Sequence, residues 1–223
     1  MTEVGATDRT GTSRPEAFSD GAIAIAITLL VLDLRPPDLA DASAAAVWRA
    51  LADLWPGYLG FAISFWTVGV LWLNHHMVFR LVDRLGHGLN VANLFLLFCI
   101  ALVPFPTSLV AEYRGHRGEQ EAVIVCAGLF LAVAIAFNLV WWQAARADGR
   151  LLVRGVAPET VRSVTRRYRL GPPVYLLALV VAFLSPGASL AIIGLAAASY
   201  ILPYGRRGTG QPEAPASGST QTQ

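Results

Sequence analysis

Hydrophobic and polar positions along this 223-residue chain fall into long apolar runs divided by short polar links, not into the alternating or amphipathic patches of a chain that folds in water. A membrane-crossing helix takes about 20 residues at 1.5 Å each. Six runs approach that length, over residues 17–34, 57–79, 89–111, 120–143, 170–185 and 187–204. The last two are short and meet at Ser185, Pro186 and Gly187, which reads as a tight hairpin, with a re-entrant pair as the alternative. Between the first two runs, Val47, Trp48, Leu51, Leu54 and Trp55 recur at helical spacing beside Arg49 and Asp53, the pattern of a helix lying on the membrane surface. The expected architecture is all-α, an integral membrane protein with six transmembrane helices within residues 14–207. The tails, 1–13 and 208–223, carry too little to bury to offset their ordering entropy and are expected to be disordered.

Composition supports this division. Hydrophobic residues make up 55% of the chain and charged ones 14%, and the mean hydropathy is +0.52, so the lipid bilayer is the expected solvent. A formal net charge of +2 is too small to make nucleic acid a partner. Cys99 and Cys126 lie inside apolar runs and read as buried thiols. The first run ends in charge and a Pro-Pro pair, without a small-residue cleavage site, so it is expected to stay in the protein.

Every basic residue other than histidine is arginine, and the arginines orient the chain, because short cytoplasmic loops carry the basic excess. With the N-terminus inside, only Arg35, Arg49, Arg114 and Arg117 face out. Six crossings then leave both termini cytoplasmic and the chain multi-pass in the plasma (inner) membrane. The Arg-rich link from Ala144 to Leu170 becomes the main cytoplasmic feature, read as a solvated topology anchor, with anionic lipid binding as the alternative.

This topology brings polar residues from three runs to one depth. Arg14, Ser19 and Asp20 begin the first run, Trp72, Asn74, His75 and His76 end the second, and Asn90 and Asn93 begin the third. An Asp able to accept from His or Arg, among Trp and Asn donors, lets each group find a partner and clamps three helices together. The chemical alternative makes His75, His76 and Asp20 a metal or acid-base site. Adjacent histidines point to different helix faces, and a further ligand is missing at that depth. Beyond this head the first run carries two apolar stripes: Ile25, Thr28, Leu29, Leu32, and Ile23, Ile27, Leu30, Leu34. Periodicity alone does not choose between them.

At the head of the first run, RPEAFSD over Arg14–Asp20 resembles the R-x-x-x-F-S-D signature of the transmembrane protein 175 family, whose bacterial branch comprises six-helix potassium channels. WLNHH at Trp72–His76 and LVPFPTSL at Leu102–Leu109 resemble that family's motifs near the ends of helices 2 and 3. The resemblance covers the first half of the chain; the second half agrees in hydropathy and helix count. It implies a homotetramer with helix 1 of each copy lining a central pore, potassium as the permeant ion, no cofactor and no enzymatic activity. Carried over by distance from the FSD motif, Ile25, Leu29 and Leu32 are the pore rings and Thr28 supplies a hydroxyl layer. Asp33 lies near the outer end of helix 1, where four copies around an axis would concentrate cations at the mouth, with an ordinary solvated end charge as the alternative, and Arg14, Phe18, Ser19, Asp20, Trp72, His75 and Asn93 are the expected structural network. A TVGYG-like filter is absent from the sequence. A secondary transporter is the competing class, although helix 1 lacks the midplane Gly or Pro break such proteins use. A membrane enzyme would need reactive groups that converge only in the polar layer.

Overall fold

A computed structural model describes residues 10–34, 36–37, 43–146 and 151–200. Eight α-helices make up the described chain: α1 (Thr10–Leu29), α2 (Ala44–Asp53), α3 (Trp55–Phe79), α4 (His87–Ala101), α5 (Pro104–Tyr113), α6 (Glu119–Arg146), α7 (Pro158–Ala182) and α8 (Pro186–Ser199). A 3₁₀ turn, Leu30–Asp33, continues α1. The described residues contain no strand, only an isolated antiparallel bridge between Val82 and Leu152. Among the described residues, four segments are long and apolar enough to cross a membrane: Thr12–Leu32, Gly57–Phe79, His87–Tyr113 and Glu119–Arg146. The fifth and sixth expected runs fall on the C-terminal part of α7 and on α8, a shorter apolar helix.

Local chemistry explains where these helices start and bend. Ser43 caps α2, its hydroxyl accepting from the Ala46 N–H at 3.4 Å, and Ser185 caps α8 through the Ala188 N–H at 3.3 Å. Pro158 and Pro186 occupy first-turn positions, where a missing N–H costs nothing. The third run, expected as one helix over 89–111, is divided at Leu102 and Val103, because Pro104 and Pro106 cannot donate within a helix. The joint is closed by Thr107, whose hydroxyl lies 2.8 Å from the Val103 carbonyl, and by Ser108, which donates to the Pro104 carbonyl at 2.8 Å.

Two expectations shift at the ends. α1 starts at Thr10, so residues 10–13 belong to it; extending a formed helix by a few residues is cheap once its body is packed. The remainder of the N-terminal tail and the whole tail 208–223 lie outside the described residues, as do Arg9, Arg35, Arg150, Arg206 and Arg207. The link Ala144–Leu170 is mostly helical: α6 extends to Arg146 and α7 already begins at Pro158. α2 has no buried residue and exposes Trp48 by 73%.

The core lies between α1, α3, α4, α6 and α7, with Ile23, Val68, Leu96, Ile100, Val140 and Tyr168 in one buried cluster. A second cluster joins α6, α7 and α8 through Phe130, Tyr175 and Ile193. Small residues allow close helix approach, as at Gly60, where a Cβ would stand 3.2 Å from Ala111 Cβ. Cys99 and Cys126 are buried free thiols.

Pro172 and Pro173 stand inside α7. Pro172 leaves the Tyr168 carbonyl without its helical donor, and Asn138 of α6 supplies one, Nδ2 donating at 2.6 Å. At the far end of the same helix pair, Gln120 donates to the Phe183 carbonyl at 2.6 Å.

The α3–α4 link and the α6–α7 link meet at one end of the molecule. The Asp83 N–H donates to the Leu151 carbonyl at 2.8 Å, and the Val153 N–H to the Leu81 carbonyl at 3.0 Å. That end carries Arg80, Arg84, Arg146 and Arg154 and the start of α7; Arg114 and Arg117 lie beyond the opposite end of α5.

Candidate functional site

The apolar body of α1 has one buried and one exposed side. Ile23 and Leu30 are each 1% exposed, and Ala26 is buried with them. Ile27 and Leu34 are half-buried on the same stripe. Across the helix, Ile25 is 61% exposed, Leu29 52% and Leu32 69%, and Thr28 is exposed between them. The two stripes that periodicity left equivalent are therefore separated within the chain: one packs against α3 and α4, and the other faces away. A helix held on one side by the core presents its free side as a regular surface.

Thr28 donates its hydroxyl proton to the Ile25 carbonyl at 2.9 Å. That bond uses the only proton on the oxygen and leaves lone pairs able to accept from, or coordinate, a positive species. Asp33 closes the 3₁₀ turn at the far end of the helix, and its side chain lies outside the described residues.

The head of α1 is tied to α3 and α4 by a directed chain of hydrogen bonds. His75 Nε2 lies 2.9 Å from Asn93 Oδ1, Asn93 Nδ2 donates to Ser19 Oγ at 2.8 Å, and Ser19 Oγ donates to the Pro15 carbonyl at 2.8 Å. Each step leaves one polarity for the next: the Asn93 oxygen accepts, so His75 is the donor at Nε2. Ser19 is fully buried, His75 is 1% exposed and Asn93 3%, so these bonds are made away from water. His75 also stacks on Phe79, with ring centroids 4.2 Å apart.

A second tie runs beside the first. Trp72 Nε1 donates to Asp20 Oδ1 at 2.9 Å, and Trp72 stacks on His76 at 5.8 Å. Asp20 thus accepts from tryptophan, not from histidine or arginine as the sequence led one to expect. Arg14 is exposed, and Phe18 is 60% exposed; neither joins the buried chain. His76 faces Glu16 at 4.0 Å, the outer limit of an ion pair. Asn74, also buried, donates to the Val70 carbonyl at 2.7 Å. Among the described residues no group of three or more His, Cys, Asp or Glu is placed to hold a metal ion.

Sequence reasoning missed Glu16 and Asn138. The signal for Asn138 was present in Pro172 and Pro173, since two prolines inside a helix free carbonyls that call for donors on a neighbouring one.

Residues 14–104, which hold the α1 head, its exposed stripe and the α3 and α4 partners, match the family described as Endosomal/lysosomal potassium channel TMEM175. A potassium channel of Chamaesiphon minutus is 44% identical over 189 residues, covering 85% of this chain and 93% of that relative. A potassium channel of Streptomyces collinus is 41% identical over 188 residues, covering 84% and 90%. The crystal structure of a lysosomal potassium-selective channel TMEM175 homolog from Chamaesiphon minutus matches with a TM-score of 0.75 at 40% identity, covering 86% of this chain and 97% of that one. Identity at this level over nearly the whole length places the chain by descent: it belongs to the TMEM175 potassium channel family.

Proposed function

We propose that this chain conducts potassium passively across the plasma membrane as a homotetramer, each copy crossing six times and placing α1 at a central pore. Potassium conduction follows from the kinship, since the relatives named above are potassium channels. The pore assignment is supported by one observation above all, the asymmetry of α1: Ile25, Leu29 and Leu32 are 61%, 52% and 69% exposed while Ile23 and Leu30 are each 1% exposed. The described residues leave these large aliphatic side chains more than half exposed, and four copies around an axis would give each a place.

In this reading Ile25, Leu29 and Leu32 form successive rings narrow enough to dewet, so small rotations of α1 open or close the path. Thr28 oxygens, their protons turned to the Ile25 carbonyl, face a partly dehydrated cation. Potassium is favoured because it sheds water at lower cost than sodium. Asp33 at the end of the 3₁₀ turn concentrates cations at the outer mouth. The Ser19–Asn93–His75 chain and the Asp20–Trp72 bond act as a clamp that sets the angle of α1 against α3 and α4. The end that gathers the α3–α4 and α6–α7 arginines is cytoplasmic, with both termini.

The test is potassium flux into liposomes holding the purified chain, with a potassium gradient and no other driving ion. Ile25→Asn wets the first ring, raising flux and weakening preference over sodium. Ile23→Asn buries an amide in packed apolar surroundings, lowering thermal stability by about 2–4 kcal/mol without altering ion preference per folded channel. Folded tetramers that pass no potassium, or an exchange of the two variants' effects, would sink this reading.

A further inference from the structure

We propose that the exposed arginine face of α7 is a docking surface for the headgroups of anionic phospholipids, whose acyl chains lie along the same helix. Arg162, Arg166 and Arg169 follow i, i+4, i+7 spacing, and all three are exposed. None of them makes an ion pair or hydrogen bond among the described residues. Arg167, next to them in sequence, serves the fold instead. Its guanidinium donates to the Ser199 carbonyl at 3.0 Å and lies 4.8 Å above the Tyr200 ring, holding the end of α8. The helix thus commits one arginine to the fold and leaves three in a row uncommitted. Glu159 is the acidic residue of the first turn, at the end away from the apolar body.

Two further observations set the depth of the row. Trp141 Nε1 donates to Thr165 Oγ1 at 2.8 Å, so the end of α6 is level with the arginines. Its neighbour Trp142 is 51% exposed and carries Arg146 at 4.2 Å over its ring, the arrangement of an aromatic anchor at a membrane–water boundary. Farther along the same face, Leu176, Leu177 and Val180 are 51%, 54% and 54% exposed. Cations at headgroup height therefore stand directly in line with apolar side chains at acyl height. A topology anchor needs the charge but not this alignment. The proposal rests on the orientation given above only for the choice of leaflet.

The test is thermal denaturation of the full chain in neutral detergent, titrated with phosphatidylglycerol or with phosphatidylcholine of the same chains. Phosphatidylglycerol raises the midpoint and phosphatidylcholine does not. Arg162→Gln/Arg166→Gln/Arg169→Gln raises the half-effective phosphatidylglycerol concentration by about 100-fold, as about 1 kcal/mol per arginine requires. Arg49→Gln/Arg114→Gln/Arg117→Gln, the same charge change among exposed arginines elsewhere, leaves it unchanged. Should the α7 triple variant not fold, Arg166→Gln alone shifts the concentration about fivefold. Equal responses from the two triple variants, equal responses to the two lipids, or full substitution by inorganic phosphate would overturn the proposal. So would loss of the oligomer in the α7 variant, which would make this face a contact between copies. Labelling of Arg166→Cys from one side of sealed vesicles reports the leaflet separately.

Discussion

Asn93→Leu tests the clamp with little change of volume. In the native protein Asn93 joins His75 at 2.9 Å and Ser19 at 2.8 Å, and it is 3% exposed. Leucine removes both bonds, but the consequences are unequal. Ser19 keeps its bond to the Pro15 carbonyl, whereas His75, 1% exposed, keeps nothing, because its Nδ1 already lacks a partner among the described residues. Single interhelical hydrogen bonds in membrane proteins average about 0.6 kcal/mol, while an orphaned buried donor costs about 1–3 kcal/mol. The second effect dominates because the imidazole is 1% exposed and Nδ1 lacks a partner among the described residues. We expect a loss of about 2 kcal/mol, or about 4–8 °C in unfolding midpoint for a chain of this size, with ion preference unchanged per folded channel. Adding His75→Phe removes the orphan and preserves the stack on Phe79, so the double variant recovers at least half of the loss. Fluorescence-monitored unfolding of all four proteins in detergent gives the coupling directly. An Asn93→Leu protein within about 0.5 kcal/mol of the native one, or additive behaviour in the double variant, would contradict a dry, hydrogen-bonded clamp.

Two other expectations follow from specific contacts. Asn138→Leu removes the Nδ2 donation to the Tyr168 carbonyl, whose helical donor Pro172 lacks, and lowers stability by about 0.5–1.5 kcal/mol; Pro172→Ala restores a helical N–H and offsets the loss, which unfolding of the pair will show. Thr28→Val preserves shape while deleting the outward oxygen, so it should leave assembly intact and lower potassium preference over sodium about fivefold, the equivalent of about 1 kcal/mol of ion contact, measured as a reversal-potential shift.

Much of the fold was legible from hydropathy because a bilayer leaves few choices: a 20-residue apolar run has to satisfy its backbone internally. That residues 44–53 form a helix was readable from the spacing of Val47, Trp48 and Leu51 beside Arg49 and Asp53. The break at Leu102–Val103 was less so, since proline position indicates a bend without stating how the freed carbonyls are served. The polar layer was readable in membership but not in pairing. Depth arguments brought Ser19, Asp20, Trp72, His75 and Asn93 together, yet which donor meets which acceptor depends on the rotation of each helix, and rotation is a property of packing.

Composition and local order are enough to establish that the chain lives in a membrane, how its apolar runs are spaced, and which family signature heads α1. That Ile23 and Leu30 turn inward while Ile25, Leu29 and Leu32 turn away emerges from the packing of the folded chain. Two equally apolar stripes on one helix are distinguished solely by what packs against them, and here Val68, Leu96 and Ile100, distant in sequence, share the core with one of them.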